Sequence, residues 1–131
     1  MDELPIRSGD DVVRVRQHVR NAAASSGLSL VDQTKLVTAA SELARNTLVH
    51  GGGGAARIEV VKSPSGRTGV KLHFTDEGPG IPDIGLALTD GWTSGGGLGL
   101  GLSGARRLVD VFDLDTKPGT GTSVMIVKWS R

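Results

Sequence analysis

Residues 41–51 read SELARNTLVHG and close a segment whose apolar side chains recur at helical spacing. The spacing predicts a helix over about 30–49. Ser29 and Asp32 are placed to form a capping box at its start. Gly51 follows its last turn, where a residue in the left-handed conformation commonly ends a helix.

Two polar side chains within the stretch, Glu42 and Asn46, are four residues apart. Side chains at that spacing point from one face of a helix, and this face lies off the apolar stripe. Taken alone, the pair is more typical of a solvated helix surface than of a functional site.

The surrounding pattern predicts further helices and strands on both sides of this helix. The predicted elements are a helix starting after Asp10 or Asp11 and ending at 25–27, strands on either side of a turn at 63–66, a helical turn at 84–88, a helix over about 102–109, and strands beginning at Phe112 and Thr122. The order predicts an α+β fold, a two-layer sandwich with helices on one face of a mixed, mostly antiparallel sheet. With no repeat or linker, residues 1–131 are expected to form one domain.

Composition excludes several classes of function. The net charge is +1 and aromatic residues make up 3% of the chain, so neither a basic field nor a stacking platform for nucleic acid is expected. Cysteine is absent, which excludes disulfides and thiolate metal sites. The N-terminus has no apolar signal region, and no apolar run approaches the roughly 20 residues of a membrane span. We therefore expect a cytoplasmic protein without a membrane segment.

The 20 glycines are clustered, and one cluster follows a predicted strand. Asp76 ends that strand and is followed by Gly78 and Gly80. A carboxylate can accept a hydrogen bond from an exocyclic amino group such as that of adenine, and neighbouring glycines let a base lie against the backbone. A simple Gly-Pro turn explains the same residues equally well.

A second glycine cluster, GGGLGLGLS at 95–103, leads directly into a predicted helix. Backbone N–H groups and a helix N-terminus together favour phosphate binding, although a mobile loop is the alternative. The segment lacks the lysine of a P-loop and comes too late in the chain for a Rossmann loop. Gly119 and Gly121 precede Thr122 in a predicted hairpin turn, from which the threonine hydroxyl could assist at a base pocket.

In this order the motifs resemble those of the GHKL ATPase and kinase superfamily. The segments SELARN, EGPGIPDI, DGWTSGGGLGLGL and the terminal VKW are most similar to RsbT-type switch kinases, and the likeness covers nearly the whole chain. The resemblance implies the Bergerat ATP-binding fold, with ATP and Mg²⁺ as cofactors.

The resemblance also implies a role for each matching residue. Asn46 would ligate Mg²⁺, Glu42 would be the catalytic base, and Asp76 would bind the adenine amino group. The remaining implied assignments are Thr122 in support of Asp76, Gly78 and Gly80 at the floor of the pocket, Gly97, Leu98, Gly99, Leu100 and Gly101 around the phosphates, and residues 82–96, including Trp92, as a lid.

The activity implied by the resemblance is that of a serine/threonine protein kinase. It would transfer the γ-phosphoryl group of ATP to a STAS-domain antagonist and, once released, activate a PP2C-type phosphatase. An anti-sigma factor that phosphorylates its own antagonist is the alternative. A module that only binds nucleotide is a third hypothesis, which the presence of Glu42 disfavours.

Overall fold

The computed structural model describes residues 2–78, 101–117 and 119–131. Within them the chain forms, in order, β1 (Asp2–Ile6), α1 (Gly9–Ser25), α2 (Leu30–Val49), β2 (Gly54–Lys62), β3 (Thr68–Asp76), α3 (Gly101–Leu108), β4 (Val111–Lys117) and β5 (Gly121–Trp129). The helical turn predicted at 84–88 lies outside the described residues. None of the described helices combines the length and the apolar character that a membrane span requires.

The five strands form one sheet in the order β1-β2-β3-β5-β4, and every neighbouring pair is antiparallel. The predicted α+β class is confirmed. Helix α2 packs against α1 and α3 and also contacts strands β1, β2, β3 and β5. It is therefore the central helix of the helical layer.

Alternation along the central strand shows which face of the sheet is covered. Val70, Leu72 and Phe74 of β3 are buried, whereas the residues between them are only half-buried. The buried set joins Leu36 and Leu43 of α2 in one core cluster. Burying side chains of this size contributes about 1.5–3 kcal/mol each, so this seam holds α2 firmly on the sheet.

Strand β1 is a feature that the sequence did not predict. It pairs antiparallel with β2 at the edge of the sheet and buries Ile6 completely. The strand has five residues and contains Pro5, which cannot donate to a ladder and is tolerated only at such an edge. Its sequence therefore carries no clear strand pattern.

The start of α1 corrects the predicted cap. Ser8, and neither Asp10 nor Asp11, is the N-cap residue, and its hydroxyl oxygen accepts a hydrogen bond from the Asp11 N–H at 3.3 Å. The Asp11 carboxylate in turn accepts from the backbone N–H of Arg7 at 2.9 Å. Asp11, three residues after the cap, thus ties the first turn of α1 back to the residue before the cap, where a capping box would engage the N–H of the cap itself.

The Asp11 carboxylate is expected to make stability depend on pH. The Arg7 N–H, helped by the Arg14 guanidinium, holds the pKa of Asp11 below its ordinary value of 3.8. A depressed folded-state pKa stabilises the fold above the unfolded value, and this contribution is lost as pH falls through the folded value. The free energy of unfolding lost in Asp11→Asn should therefore be constant near neutral pH and shrink as pH falls from about 5 to values below 3.8. Denaturant titrations at each pH measure it, with the exposed neighbour change Asp10→Asn as control. A difference in unfolding free energy between the wild type and Asp11→Asn that stays constant with pH would contradict this role.

The predicted capping box at α2 is confirmed in its first half, because Ser29 Oγ accepts from the Asp32 N–H at 3.1 Å. The Asp32 carboxylate is buried and pairs with Lys128 Nζ at 3.7 Å, and Asp110 Oδ1 lies 3.6 Å from the same nitrogen. Arg131 contacts both carboxylates at 3.4 Å. This cluster ties the start of α2 to the end of β5.

Candidate nucleotide-binding site

The site forms where β3 ends at Asp76. In the sheet register Asp76 lies between Gly54 of β2 and Thr122 of β5, so all three positions share one face. A Cβ added to Gly54 would run into the carbonyl oxygen of Thr75 and reach Thr47 of α2 at 2.9 Å. Because this face is the one that meets α2, the Asp76 side chain is directed toward the helical layer.

A local hydrogen bond sets the orientation of the Asp76 carboxylate. Oδ1 accepts from the backbone N–H of Gly78 at 2.8 Å, which forms a turn of the Asx type. Oδ2 has no hydrogen-bond donor among the described residues. One carboxylate oxygen therefore fixes the turn and the other can accept a hydrogen bond from a ligand.

Gly51 joins the end of α2 to this turn. A Cβ at Gly51 would lie 2.5 Å from Asp76 Cβ, and a Cβ at Gly78 would lie 2.7 Å from Gly51 Cα. The two backbones meet with no space for a side chain. The prediction that Gly51 is the left-handed residue was wrong, because the positive φ angles are those of Gly52 (72°) and Gly53 (110°).

Replacing Gly51 by alanine is expected to impair nucleotide binding. The added methyl must displace the Asp76 side chain, which is half-buried and held by its turn. We expect nucleotide affinity to fall by an order of magnitude or more, since the loss of a charged hydrogen bond costs about 1.5–3 kcal/mol. Isothermal titration with ATP and Mg²⁺ measures this. Gly9→Ala is the matched control because a Cβ at Gly9 has no neighbour within 4 Å. Equal affinities for both variants would refute the Gly51 contact.

Glu42 and Asn46 are both half-buried on α2, at the border between its core side and its exposed side. The Asn46 carbonyl oxygen accepts from the N–H groups of His50 (2.9 Å) and Gly51 (3.2 Å), which turns the chain toward Asp76. The backbone of Asn46 thus closes the helix, and no described hydrogen bond engages its side-chain amide.

The proposed protein ligand for Mg²⁺ is a single oxygen atom, that of the Asn46 side-chain amide. Among the described residues, His, Cys, Asp and Glu form no group of three or more that could hold a metal ion. Magnesium prefers oxygen ligands and keeps several waters and substrate phosphates, so a single amide oxygen from Asn46 is a sufficient protein contribution. The residues present are therefore compatible with Mg²⁺ that arrives with a nucleotide.

Thr122 is positioned by its neighbours across the sheet and the turn. Its hydroxyl lies 2.9 Å from that of Thr116, which itself donates to the carbonyl oxygen of Gly121 at 3.2 Å. Either hydroxyl can donate in this pair, and in both cases the Thr122 oxygen keeps a lone pair for a ligand amino group. Gly121 is required in this turn, with φ at 136° and the Asp76 carbonyl oxygen in the place of a Cβ.

The structure brings together part of the predicted site. Asp76, Gly78 and Thr122 lie side by side. Glu42 and Asn46 lie half-buried on α2, and among the described residues no hydrogen bond or ion pair joins their side chains to these three. Gly101 begins α3, which packs against α2. The remaining predicted positions lie outside the described residues and stay predictions, namely Gly80, Gly97, Leu98, Gly99, Leu100 and the lid at 82–96 with Trp92.

Sequence reasoning missed three residues that shape the site: Gly51, Gly54 and Thr116. The unusual run of four glycines after α2 was a usable signal, because such density is costly unless backbone must approach closely. Which neighbour each glycine approaches follows only from the register of β2 against β3. Thr116 had no sequence signal of its own.

A comparison with known families agrees with this geometry. Residues 31–130 match the family described as histidine kinase-, DNA gyrase B- and HSP90-like ATPase. The chain belongs to this family. Within these GHKL ATPases it is 46% identical over 121 residues to "Serine/threonine-protein kinase RsbT" of Bacillus subtilis (strain 168), covering 92% of this chain and 90% of the relative. The predicted RsbT-type membership is confirmed.

Two more distant similarities accompany this match. "Anti-sigma F factor" of Thermoanaerobacter sp. (strain X514) is 28% identical over 95 residues, which is 70% of this chain and 66% of the relative. The crystal structure of the RsbU and RsbW domains of a Mycobacterium tuberculosis protein superposes with a TM-score of 0.65 at 20% identity. That alignment covers 100% of this chain and 33% of the other. It supports the GHKL fold.

Proposed function

We propose that this GHKL chain is an ATP-dependent serine/threonine protein kinase that acts on a STAS-domain antagonist. The observation that carries the proposal is the carboxylate of Glu42, half-buried one helical turn before Asn46 on α2. A module that only binds nucleotide has no need for a base at that place. The 46% identity to a relative named as a serine/threonine-protein kinase supports the same activity.

In this proposal each residue of the site has one task. Asp76 Oδ2 and the Thr122 hydroxyl accept hydrogen bonds from the adenine amino group, and Asn46 holds Mg²⁺. When bound, Mg²⁺ would neutralise phosphate charge. The glycines at 97–101 enclose the phosphates. Glu42 orients the acceptor hydroxyl, which suits a loose transition state that needs positioning more than strong base catalysis.

A protein is proposed as the substrate because the described part of the chain has no second lobe that could bind a small acceptor. Among the described residues the chain forms only one sheet with its covering helices, without a second lobe to bind an acceptor. A docked partner must therefore present the serine or threonine. A phosphoserine adds about −1.5 to −2 charges, which would lie near Glu42 and a nucleotide phosphate. Repulsion should release the product and free the kinase, in the cytoplasm, to activate a PP2C-type phosphatase.

The alternative function is an anti-sigma factor with kinase activity towards its antagonist. The similarity to a relative named "Anti-sigma F factor" favours it. Capture of partners on the immobilised chain with ATP, and then with ADP, distinguishes the two. Recovery of a PP2C-type phosphatase supports the first function, and recovery of a sigma factor supports the second.

The proposed release of the phosphorylated antagonist is tested by comparing the affinity of the chain for the unmodified antagonist and for a mimic of its phosphorylated form. Isothermal titration compares the unmodified STAS protein with a variant that carries an acidic residue at the acceptor position. We expect the acidic form to bind at least about tenfold more weakly, because a buried like-charge contact costs more than about 1.4 kcal/mol. Equal affinities would contradict release by repulsion.

A further inference from the structure

Helix α2 carries an arginine, Arg45, beside the proposed base Glu42. Arg45 lies directly before Asn46 and three residues after Glu42, and its side chain is exposed. At about 100° per residue it projects about 60° from Glu42, on the side away from Asn46 and from the core. It therefore borders the base on the side open to solvent, where an acceptor protein must approach.

The Arg45 guanidinium is not neutralised within the described part of the chain. The spacing to Glu42 is the one at which an acid and a following arginine can pair on a helix. Helix α1 shows the same arrangement, and there Arg14 contacts Asp11 at 2.7 Å. No such ion pair joins Arg45 to Glu42 or to another described carboxylate. Among the described residues, Arg45 is thus a cation without a partner carboxylate, one helical turn from the proposed base.

We propose that Arg45 is a second catalytic residue, whose guanidinium binds the phosphoryl group as it passes from ATP to the acceptor. This rests on the proposed kinase function. Cβ atoms at this spacing lie about 5–6 Å apart, so the long side chain can reach a group held at the Glu42 carboxylate. A guanidinium offers paired N–H donors that match phosphate oxygens, and it stays charged throughout.

The step balances without a further reactant. The acceptor hydroxyl oxygen forms a bond to the γ-phosphorus, and its proton passes to the Glu42 carboxylate. The bond between that phosphorus and the β,γ-bridging oxygen breaks, and its electron pair leaves with ADP. Arg45 exchanges no proton and lowers the energy of the charge on the transferring oxygens, as catalytic arginines do in other phosphoryl-transfer enzymes.

The test compares Arg45→Met and Arg45→Lys with the wild type. Arg67→Met is the matched control, because Arg67 is also exposed and lies at the opposite end of β3 from Asp76. Three quantities are measured: kcat for transfer to a STAS-domain protein, kcat for ATP hydrolysis without acceptor, and the dissociation constant for Mg·ATP. Thermal unfolding verifies that each variant is folded.

We expect Arg45→Met to lower both kcat values by at least about tenfold, with Mg·ATP affinity unchanged. Arg45→Lys should recover part of the loss, since it keeps the charge without the paired donors. A rise in KM for the STAS protein alone would assign Arg45 to docking and overturn the proposal, as would unaltered kinetics or lost ATP binding. A wild-type chain that transfers no phosphoryl group would instead refute the kinase function itself.

Discussion

Glu42→Gln should bind Mg·ATP normally and lose phosphoryl transfer. The glutamine keeps the size and the half-buried position of the side chain on α2 but cannot accept the hydroxyl proton. Removal of a general base typically costs about 10²–10⁴-fold in rate. Single-turnover transfer of labelled phosphate and titration with ATP measure the two effects separately.

The neighbouring change Asn46→Ala serves as the contrast for Glu42→Gln. It should weaken the part of ATP binding that depends on Mg²⁺, because the amide oxygen is the proposed metal ligand. Glu42→Gln should leave that part intact. Full kinase activity in Glu42→Gln would show that the base has been assigned wrongly.

Asp76→Asn should remove nucleotide binding while the fold remains. An asparagine can keep the hydrogen bond from the Gly78 N–H through its Oδ1, so the turn is retained. The amide then places a donor where Oδ2 stood, against the adenine amino group. The lost charged hydrogen bond alone costs about 1.5–3 kcal/mol, roughly 10- to 150-fold in affinity, and the opposed donors add to it.

Titration with ATP and with ADP measures the Asp76 effect, and thermal unfolding verifies the fold. Asp113→Asn is a suitable control, because Asp113 is an exposed aspartate on the edge strand β4. Wild-type affinity in Asp76→Asn would remove this residue from the adenine site.

The parts of the fold that the sequence predicted correctly are the elements whose positions follow from local spacing. The helical period placed α2, and the spacing of Glu42 and Asn46 put both on one face of it. The strand ending at Asp76 was likewise visible from alternation. The fold class followed from the order of such elements.

The features that escaped prediction depend on tertiary contacts or on competition between neighbours. Gly51 is needed because α2 and the β3 turn touch, and no pattern within α2 specifies that approach. Ser8 is the cap because its backbone is extended and its hydroxyl reaches the Asp11 N–H, while the Asp11 carboxylate is engaged with the Arg7 N–H. Strand β1 forms because it can pair with the free edge of β2 and because Ile6 is buried in the core.

The central claim is that this chain moves the γ-phosphoryl group of ATP onto a serine or threonine of a partner protein. The direct measurement is the identity of the phosphorylated residue after incubation with γ-labelled ATP, Mg²⁺ and STAS-domain proteins from the same organism. The account predicts acid-stable phosphate on a serine or threonine of a STAS protein, absent with Glu42→Gln. Label found only on a histidine or an aspartate, or on no protein at all, would contradict it.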